Sequence, residues 1–291
     1  MEETIKQVKK IEIKTKKLVD CLISGNYHSV FKGNGIEFSE IRDYRAGDDI
    51  RSIDWKVTAR FNHPYIKEFI EERDLNVYFV LDISGSGIYG TSVSKKRKSI
   101  ELIASLMFSA AKNNDNVGMF LITDSVEKFI PLRKGKKHVI QMLKELIFYE
   151  PQSRKTNLDL ALKYILNIVR KRSVMFIVSD FMCEDDFFKP LKIMKKRHDL
   201  TIIKIADERE KEIPDVGLIE LEDSETDEQI LVDTSDTEFR KKYLENNKNI
   251  QDKLINSFRR QRIDFIEILS DEDYEKPLRR FFKFKKHEIV K

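Results

Sequence analysis

Two uninterrupted apolar runs dominate the hydrophobic pattern: Val77-Tyr78-Phe79-Val80-Leu81 and Val174-Met175-Phe176-Ile177-Val178. A strand-length run with apolar residues on both faces predicts a strand buried on both faces, as in a parallel sheet covered by helices. Around the two runs the period changes to that of a helix. Ile100, Ile103, Ala104, Met107, Phe108 and Ala111 predict a helix over 94–112. Further helices are expected over 137–148, from Thr156-Asn157-Leu158-Asp159 onward, over 184–196 and over 236–261. Strands are expected at 117–123, 200–206 and 263–269, with Val126–Leu132 as a return strand after the turn Asp124-Ser125. Strands alternating with helices imply right-handed crossovers, so the expected fold is α/β, a doubly wound, mostly parallel sheet.

Three stretches depart from the alternation. Residues 3–22 predict a basic amphipathic helix, packed on its own domain or lying on a membrane surface. Residues 24–74 are broken by Gly25, Gly33, Gly35 and Gly47, and 40–56 is dense in both signs of charge around Trp55, the single tryptophan. That segment admits two readings. One is a pair of short strands held by Arg–Asp pairs, with Trp55 plugging a core. The other is a recognition surface bearing Arg42, Tyr44, Asp48, Asp49, Arg51, Asp54 and Trp55, since Arg, Tyr and Trp are favoured at binding hot spots. Residues 207–235 predict an inserted β-hairpin, and 273–284 a terminal amphipathic helix. The expected organisation is an N-terminal extension (1–75), an α/β domain (76–270) and a C-terminal helix with a basic tail (271–291).

Composition narrows the function classes. The 291 residues are 36% charged and 41% apolar, the balance of a globular chain. A net charge of +4 is small beside 54 Lys and Arg, and does not argue for nucleic acid. The apolar runs are too short to span a membrane, and the first residues lack the apolar core of a signal peptide; a cytoplasmic protein is expected. Cys21 and Cys183 lie far apart and fit free thiols.

The candidate chemistry sits where the first apolar run ends, in Asp82-Ile83-Ser84-Gly85-Ser86-Gly87. Ligands of open α/β sheets bind beyond the carboxyl ends of the strands, at the point where strand order reverses. If the two runs are neighbours, Asp180 reaches the same mouth as Asp82, Ser84 and Ser86, and Thr156 brings a hydroxyl from above. These are hard oxygen donors without thiolate or imidazole, a set suited to Mg²⁺, with Mn²⁺ as substitute. Each residue also has a plainer role as a helix cap, and Thr156 with Asp159 fits a capping box. Lys95-Lys96-Arg97-Lys98 is expected to be a solvated first helical turn. Gly85-Ser86-Gly87-Ile88-Tyr89-Gly90 matches a dinucleotide fingerprint, but the acidic residue expected about 20 positions later is missing. The histidines His28, His63, His138, His198 and His287 are scattered away from the serine loop, so nucleophilic catalysis lacks a base.

The Asp82-x-Ser84-x-Ser86 loop followed by Thr156 and Asp180 resembles the metal-ion-dependent adhesion site of von Willebrand factor A domains. The resemblance implies that the two serines and the threonine ligate the ion, that the aspartates act largely through water, and that a partner supplies an acidic side chain. A narrower resemblance lies in Phe31-x-Gly33-x-Gly35-x-Glu37-Phe38 and in Arg42-x-Tyr44-x-x-Gly47-Asp48-Asp49-x-Arg51-x-Ile53-Asp54-Trp55-Lys56-x-x-Ala59-Arg60. With Glu71-Glu72-Arg73-Asp74, Asp215-Val216-Gly217-Leu218 and Asp233-Thr234-Ser235, these resemble domain-of-unknown-function family 58. That family often accompanies MoxR-type AAA+ ATPases, so the resemblance implies an adaptor or cofactor of such a machine, with a client protein as a further partner. The function expected is a non-enzymatic, Mg²⁺-dependent protein-binding module. The alternatives are a metal-free scaffold of the same fold and a metal-dependent hydrolase.

Overall fold

The computed structural model describes residues 9, 11, 12, 37–70, 74–88, 94–183, 185–226 and 228–289. The predicted helix at 3–22 lies outside them except for residues 9, 11 and 12, which are helical. The chain divides into two compact units, 32–75 and 1–31 with 76–291.

In the smaller unit β1 (Glu37–Asp43) pairs antiparallel with β2 (Tyr65–Ile70). A 3₁₀ turn (Ile50–Ser52) and α1 (Trp55–Phe61) lie between them. The acidic residues of the segment start these elements. Asp49 accepts from the Arg51 amide, and Asp54 from the amides of Lys56 and Val57. Both are N-cap contacts, which satisfy amides that have no partner within the helix. Trp55 opens α1 and is 66% exposed, so the expectation that it plugs a core is overturned. Asp54 turns the chain into a helix at that point, and the indole is carried outward.

In chain order the larger unit runs β3 (Asn76–Asp82), α2 (Lys95–Lys112), β4 (Asn116–Ile122), β5 (Val126–Arg133), α3 (Lys136–Phe148) and α4 (Leu158–Ile168). It continues with β6 (Val174–Ser179), α5 (Phe188–Arg197), β7 (Asp199–Ala206), α6 (Glu208–Lys211), β8 (Leu218–Glu222) and β9 (Gln229–Asp233). It closes with α7 (Thr237–Arg260), β10 (Asp264–Leu269) and α8 (Glu275–Ile289). Six strands form one sheet in the order β10-β7-β6-β3-β4-β5, all parallel except β5, which returns antiparallel beside β4. This is the doubly wound sheet expected from the alternation.

β3 and β6 are central neighbours in register from Val77↔Val174 to Leu81↔Val178. Both are buried on both faces because helices cover both. Tyr78, Val80, Met175 and Ile177 pack with α4, α5 and α7, and include Leu162, Leu191 and Phe258 in their cluster. The alternate residues Phe79 and Phe176 stack at 5.5 Å between ring centroids, 11° from parallel. From β3 the chain crosses to β4 on one side, whereas β6 leads to β7 and β10 on the other. The reversal of strand order therefore falls between β3 and β6, where a ligand crevice is expected.

The inserted hairpin β8–β9 is a separate two-stranded sheet, paired from Leu218↔Asp233 to Glu222↔Gln229. Its base is tied down: Arg240 of α7 pairs with Asp215 at 2.7 Å and donates to the Thr234 carbonyl at 2.6 Å. Val232 is its one buried strand residue, while Leu218, Ile230 and Leu231 are exposed. The C-terminal helix is longer than expected, ending at Ile289. Among the described residues no helix is long and apolar enough to cross a membrane.

Candidate functional site

Because β3 and β6 are in register, the chain leaves both strands at the same height. Asp82 ends β3 and binds across the gap: one carboxylate oxygen accepts from the Ser84 amide at 3.0 Å, and the other from the Ser179 hydroxyl at 2.7 Å. The Ser84 and Ser86 hydroxyls lie 3.2 Å apart. Asp180 follows β6, with Oδ1 accepting from the Met182 amide at 3.2 Å. It is turned by Phe181, a bulky residue at φ 56° in the left-handed region. That kink is anchored by burial of the Phe181 ring against Phe187 and Phe258, each 5.7 Å away. Asp82, Ser84, Ser86, Ser179 and Asp180 share a cleft of about 20 Å³, room for one water or one small ion.

Lysine and carboxylates set the electrostatics. Lys95 is not solvated, as its neighbours in sequence suggested, but 3% exposed in the same cleft. Its ammonium donates to Asp180 Oδ2 and Glu210 Oε1, each at 2.5 Å. Burial opposes that charge, but the two carboxylates outweigh it and hold Lys95 above its ordinary value. Lys98, one turn on, is buried too and donates to the Glu272 carbonyl at 2.6 Å. The first turn expected to be solvated is thus divided: Lys95 and Lys98 face inward with the buried residues of α2, and Arg97 is exposed. At Asp82 burial, and after it the charge on Asp180, push the carboxyl up; the hydrogen bonds from Ser84 and Ser179 pull the other way.

Thr156 stands apart from this cleft. Its amide and hydroxyl both donate to Glu225 in the tip of the β8–β9 hairpin, at 3.1 and 2.6 Å. It does not form the capping box its spacing with Asp159 offered. Asn157 caps α4 instead, accepting from the Leu160 amide at 2.9 Å. The Thr156 loop is nonetheless joined to the serine loop, because the Gly85 amide donates to the Arg154 carbonyl at 2.8 Å. Gly85 is required there: a Cβ would sit 2.3 Å from the Ser224 carbonyl oxygen of the hairpin tip. The Gly85–Ile88 stretch is a 3₁₀ turn in which the Gly85 and Gly87 amides are used within the chain. Among the described residues no histidine lines the cleft.

The donor set fits a hard divalent cation. Two carboxylates and the serine hydroxyls line the cleft beside the Lys95 ammonium, and the charge on Asp180, after burial, raises the cost of ionising Asp82. Among the described residues no cluster of three or more His, Cys, Asp or Glu has metal-holding geometry, so hydroxyls would complete the shell. Ser179, Lys95, Glu210 and Glu225 were not foreseen as site residues. Ser179 had a signal, as the last residue of an apolar run beside Asp180; Glu210 and Glu225 come from distant polar stretches with none.

The other candidate surface is divided. Arg42 binds Asp48 with two hydrogen bonds, at 2.8 and 3.0 Å, and Arg42 is the main reason the Asp48 carboxyl is held down at about 2. Asp49 and Asp54 are caps, the latter also paired with Lys67 at 3.4 Å. The Tyr44 amide donates to the Pro64 carbonyl, and Arg51 lies in the 3₁₀ turn. Trp55 is left projecting.

The chain is similar to known proteins in both sequence and structure. The uncharacterized proteins Rv1480 of Mycobacterium tuberculosis (strain ATCC 25618 / H37Rv) and Mb1516 of Mycobacterium bovis are each 30% identical over 219 residues, 74% of this chain and 69% of theirs. Among solved structures, BatB, a conserved hypothetical protein from Bacteroides thetaiotaomicron, aligns with 73% of this chain and 99% of its own at 13% identity and a TM-score of 0.45. The SpRpn10 VWA domain aligns with 74% of this chain and 94% of its own at 10% identity and a TM-score of 0.39. A family model described as "Protein of unknown function DUF58" matches residues 40–253, and by that match the chain belongs to the DUF58 family.

Proposed function

We propose that this chain is a non-enzymatic protein-binding module. Its mouth, at the ends of β3 and β6, holds Mg²⁺, or Mn²⁺ in its place, and docks an acidic side chain of a partner. The observation that carries this reading is the cluster of oxygen donors from Asp82, Ser84, Ser86, Ser179 and Asp180 in one cleft at the reversal of strand order. When bound, the ion neutralises the two carboxylates and offers an open coordination position to a ligand oxygen. The chain's own residues pre-arrange the site: Ser179 and the Ser84 amide aim Asp82, and the Phe181 kink aims Asp180. The exposed Trp55 is a second contact point. By family resemblance the partner proposed is a MoxR-type AAA+ ATPase, with a client protein behind it.

Titration of Mg²⁺ and Mn²⁺ into wild type and Asp82→Ala by calorimetry tests the metal. Heat in wild type and none in the variant is expected; no heat in either sinks it. A pull-down with Mg²⁺ and with EDTA tests the partner, an ATPase released on chelation being the expected result.

One observation favours a second reading. The Lys95 ammonium sits on Asp180 at 2.5 Å and is itself a cation for this mouth. In that reading the fold is a metal-free scaffold, and partner binding survives EDTA.

A further inference from the structure

The tip of the β8–β9 hairpin places an acidic side chain, Glu225, on Thr156, beside the serine loop that borders the proposed dock. Glu225 accepts from both the Thr156 amide and the Thr156 hydroxyl, at 3.1 and 2.6 Å, a two-point grip on one carboxylate. The tip is built to present it: Asp223 accepts from the Glu225 and Thr226 amides at 2.7 and 3.3 Å, and its own amide donates to the Glu228 carbonyl at 2.8 Å. The tip also lies directly on the serine loop, where only a glycine at position 85 leaves room for the Ser224 carbonyl. Little else holds the strands down, since Val232 is their one buried residue and Leu218, Ile230 and Leu231 are exposed. The firm anchors, Arg240 to Asp215 and to Thr234, are at the base. A segment anchored at its base and carried on thinly packed strands opens locally at low cost.

We infer that Glu225 is a built-in stand-in for the partner's acidic residue: the hairpin tip covers the docking site in cis, and the partner gains it by displacing the tip. This rests on the reading of the mouth as a dock for acidic side chains, and adds that the free chain is self-occluded. A tethered tip competes at an effective concentration of the order of millimolar, so it excludes weak acidic ligands and yields to strong ones.

The test uses the tip itself as the probe, a synthetic peptide of residues 221–229. Its binding to the full-length chain is followed through the amide chemical shift of Thr156, in wild type, Glu225→Ala and Glu225→Gln, each checked for unchanged melting. Loss of the cis carboxylate is expected to tighten peptide binding about tenfold to 100-fold, the worth of one or two charge-assisted hydrogen bonds. Thr156→Val in the Glu225→Ala background, or E225A in the peptide, abolishes it. Equal affinity for wild type and variants, or no binding to any of them, overturns the inference. Running each titration in Mg²⁺ and in EDTA separates the two ideas. Variant-selective binding in both buffers supports the occluding tip and removes the metal from the docking step, whereas selective binding in Mg²⁺ alone supports both.

Discussion

Replacing Lys95 by methionine keeps the length of the side chain and removes its charge. The ammonium is 2.5 Å from each of two carboxylates, and at an effective dielectric of about 20 each contact is worth roughly 7 kcal/mol before desolvation. Desolvating buried ions returns most of that, so the expected net loss is the roughly 3–5 kcal/mol typical of removing one partner from a buried pair. For a chain of this size that lowers the melting temperature by on the order of 10 °C. The same substitution leaves Asp180 and Glu210 uncompensated and takes away the ion's internal rival, so Mg²⁺ should stabilise Lys95→Met more than wild type. At one hundred times its dissociation constant a ligand adds about 2.7 kcal/mol, enough to recover much of the deficit. Differential scanning fluorimetry of both proteins in EDTA and over a Mg²⁺ series reads each quantity. A variant as stable as wild type in EDTA would contradict the buried pairing. Equal Mg²⁺ shifts in the two proteins would contradict competition between ammonium and metal.

Three further outcomes are expected. His198 is 3% exposed, neither ring nitrogen has a hydrogen-bond partner among the described residues, and burial, then Arg197, lowers its pKa despite the nearby Asp199. The unfolded chain therefore takes up the proton first as pH falls below about 6.5, and stability drops by up to about 1.4 kcal/mol per pH unit until the folded form protonates; melting profiles of His198→Phe should lack this acid-side component. Gly85→Ala forces its Cβ against the Ser224 carbonyl, so faster amide exchange at Thr156 and residues 223–226 is expected, with a stability loss of about 1–3 kcal/mol; unchanged exchange would mean the tip does not rest on the serine loop. Trp55→Ala removes an exposed ring and should shift stability by no more than about 0.5 kcal/mol while weakening partner capture; a large fall in melting temperature would restore the indole to a packing role.

Much of the sheet was legible because its central strands carry the strongest signal a strand has. Val77–Leu81 and Val174–Val178 are apolar at every position, which only a doubly covered strand tolerates; Asp82 follows the first directly and Asp180 the second after Ser179, which puts both carboxylates at one end. The burial of Lys95 and Lys98 is hard to read from sequence because a run of four cations resembles a solvated turn. The helical period held the contrary signal: Lys95 and Lys98, with Ser99 and Leu102, continue the buried stripe of α2 backwards by one turn. The segment at 40–56 was ambiguous because cap, ion pair and binding surface all draw on the same residues. Asp49 and Asp54 became caps, Arg42 and Asp48 a pair, and Trp55 stayed outside. Glu225 had no local signature, for a polar turn looks the same whether it faces water or a threonine 69 positions away.

The left-handed turn at Phe181 ties the bearing of Asp180 to an aromatic nest under α5 and α7, out of any visitor's reach. Trimming Phe187 or Phe258 would slacken that hinge from behind. A recognition defect in such a mutant would then report a carboxylate that has lost its aim, and the aromatic itself should not be taken for a contact residue.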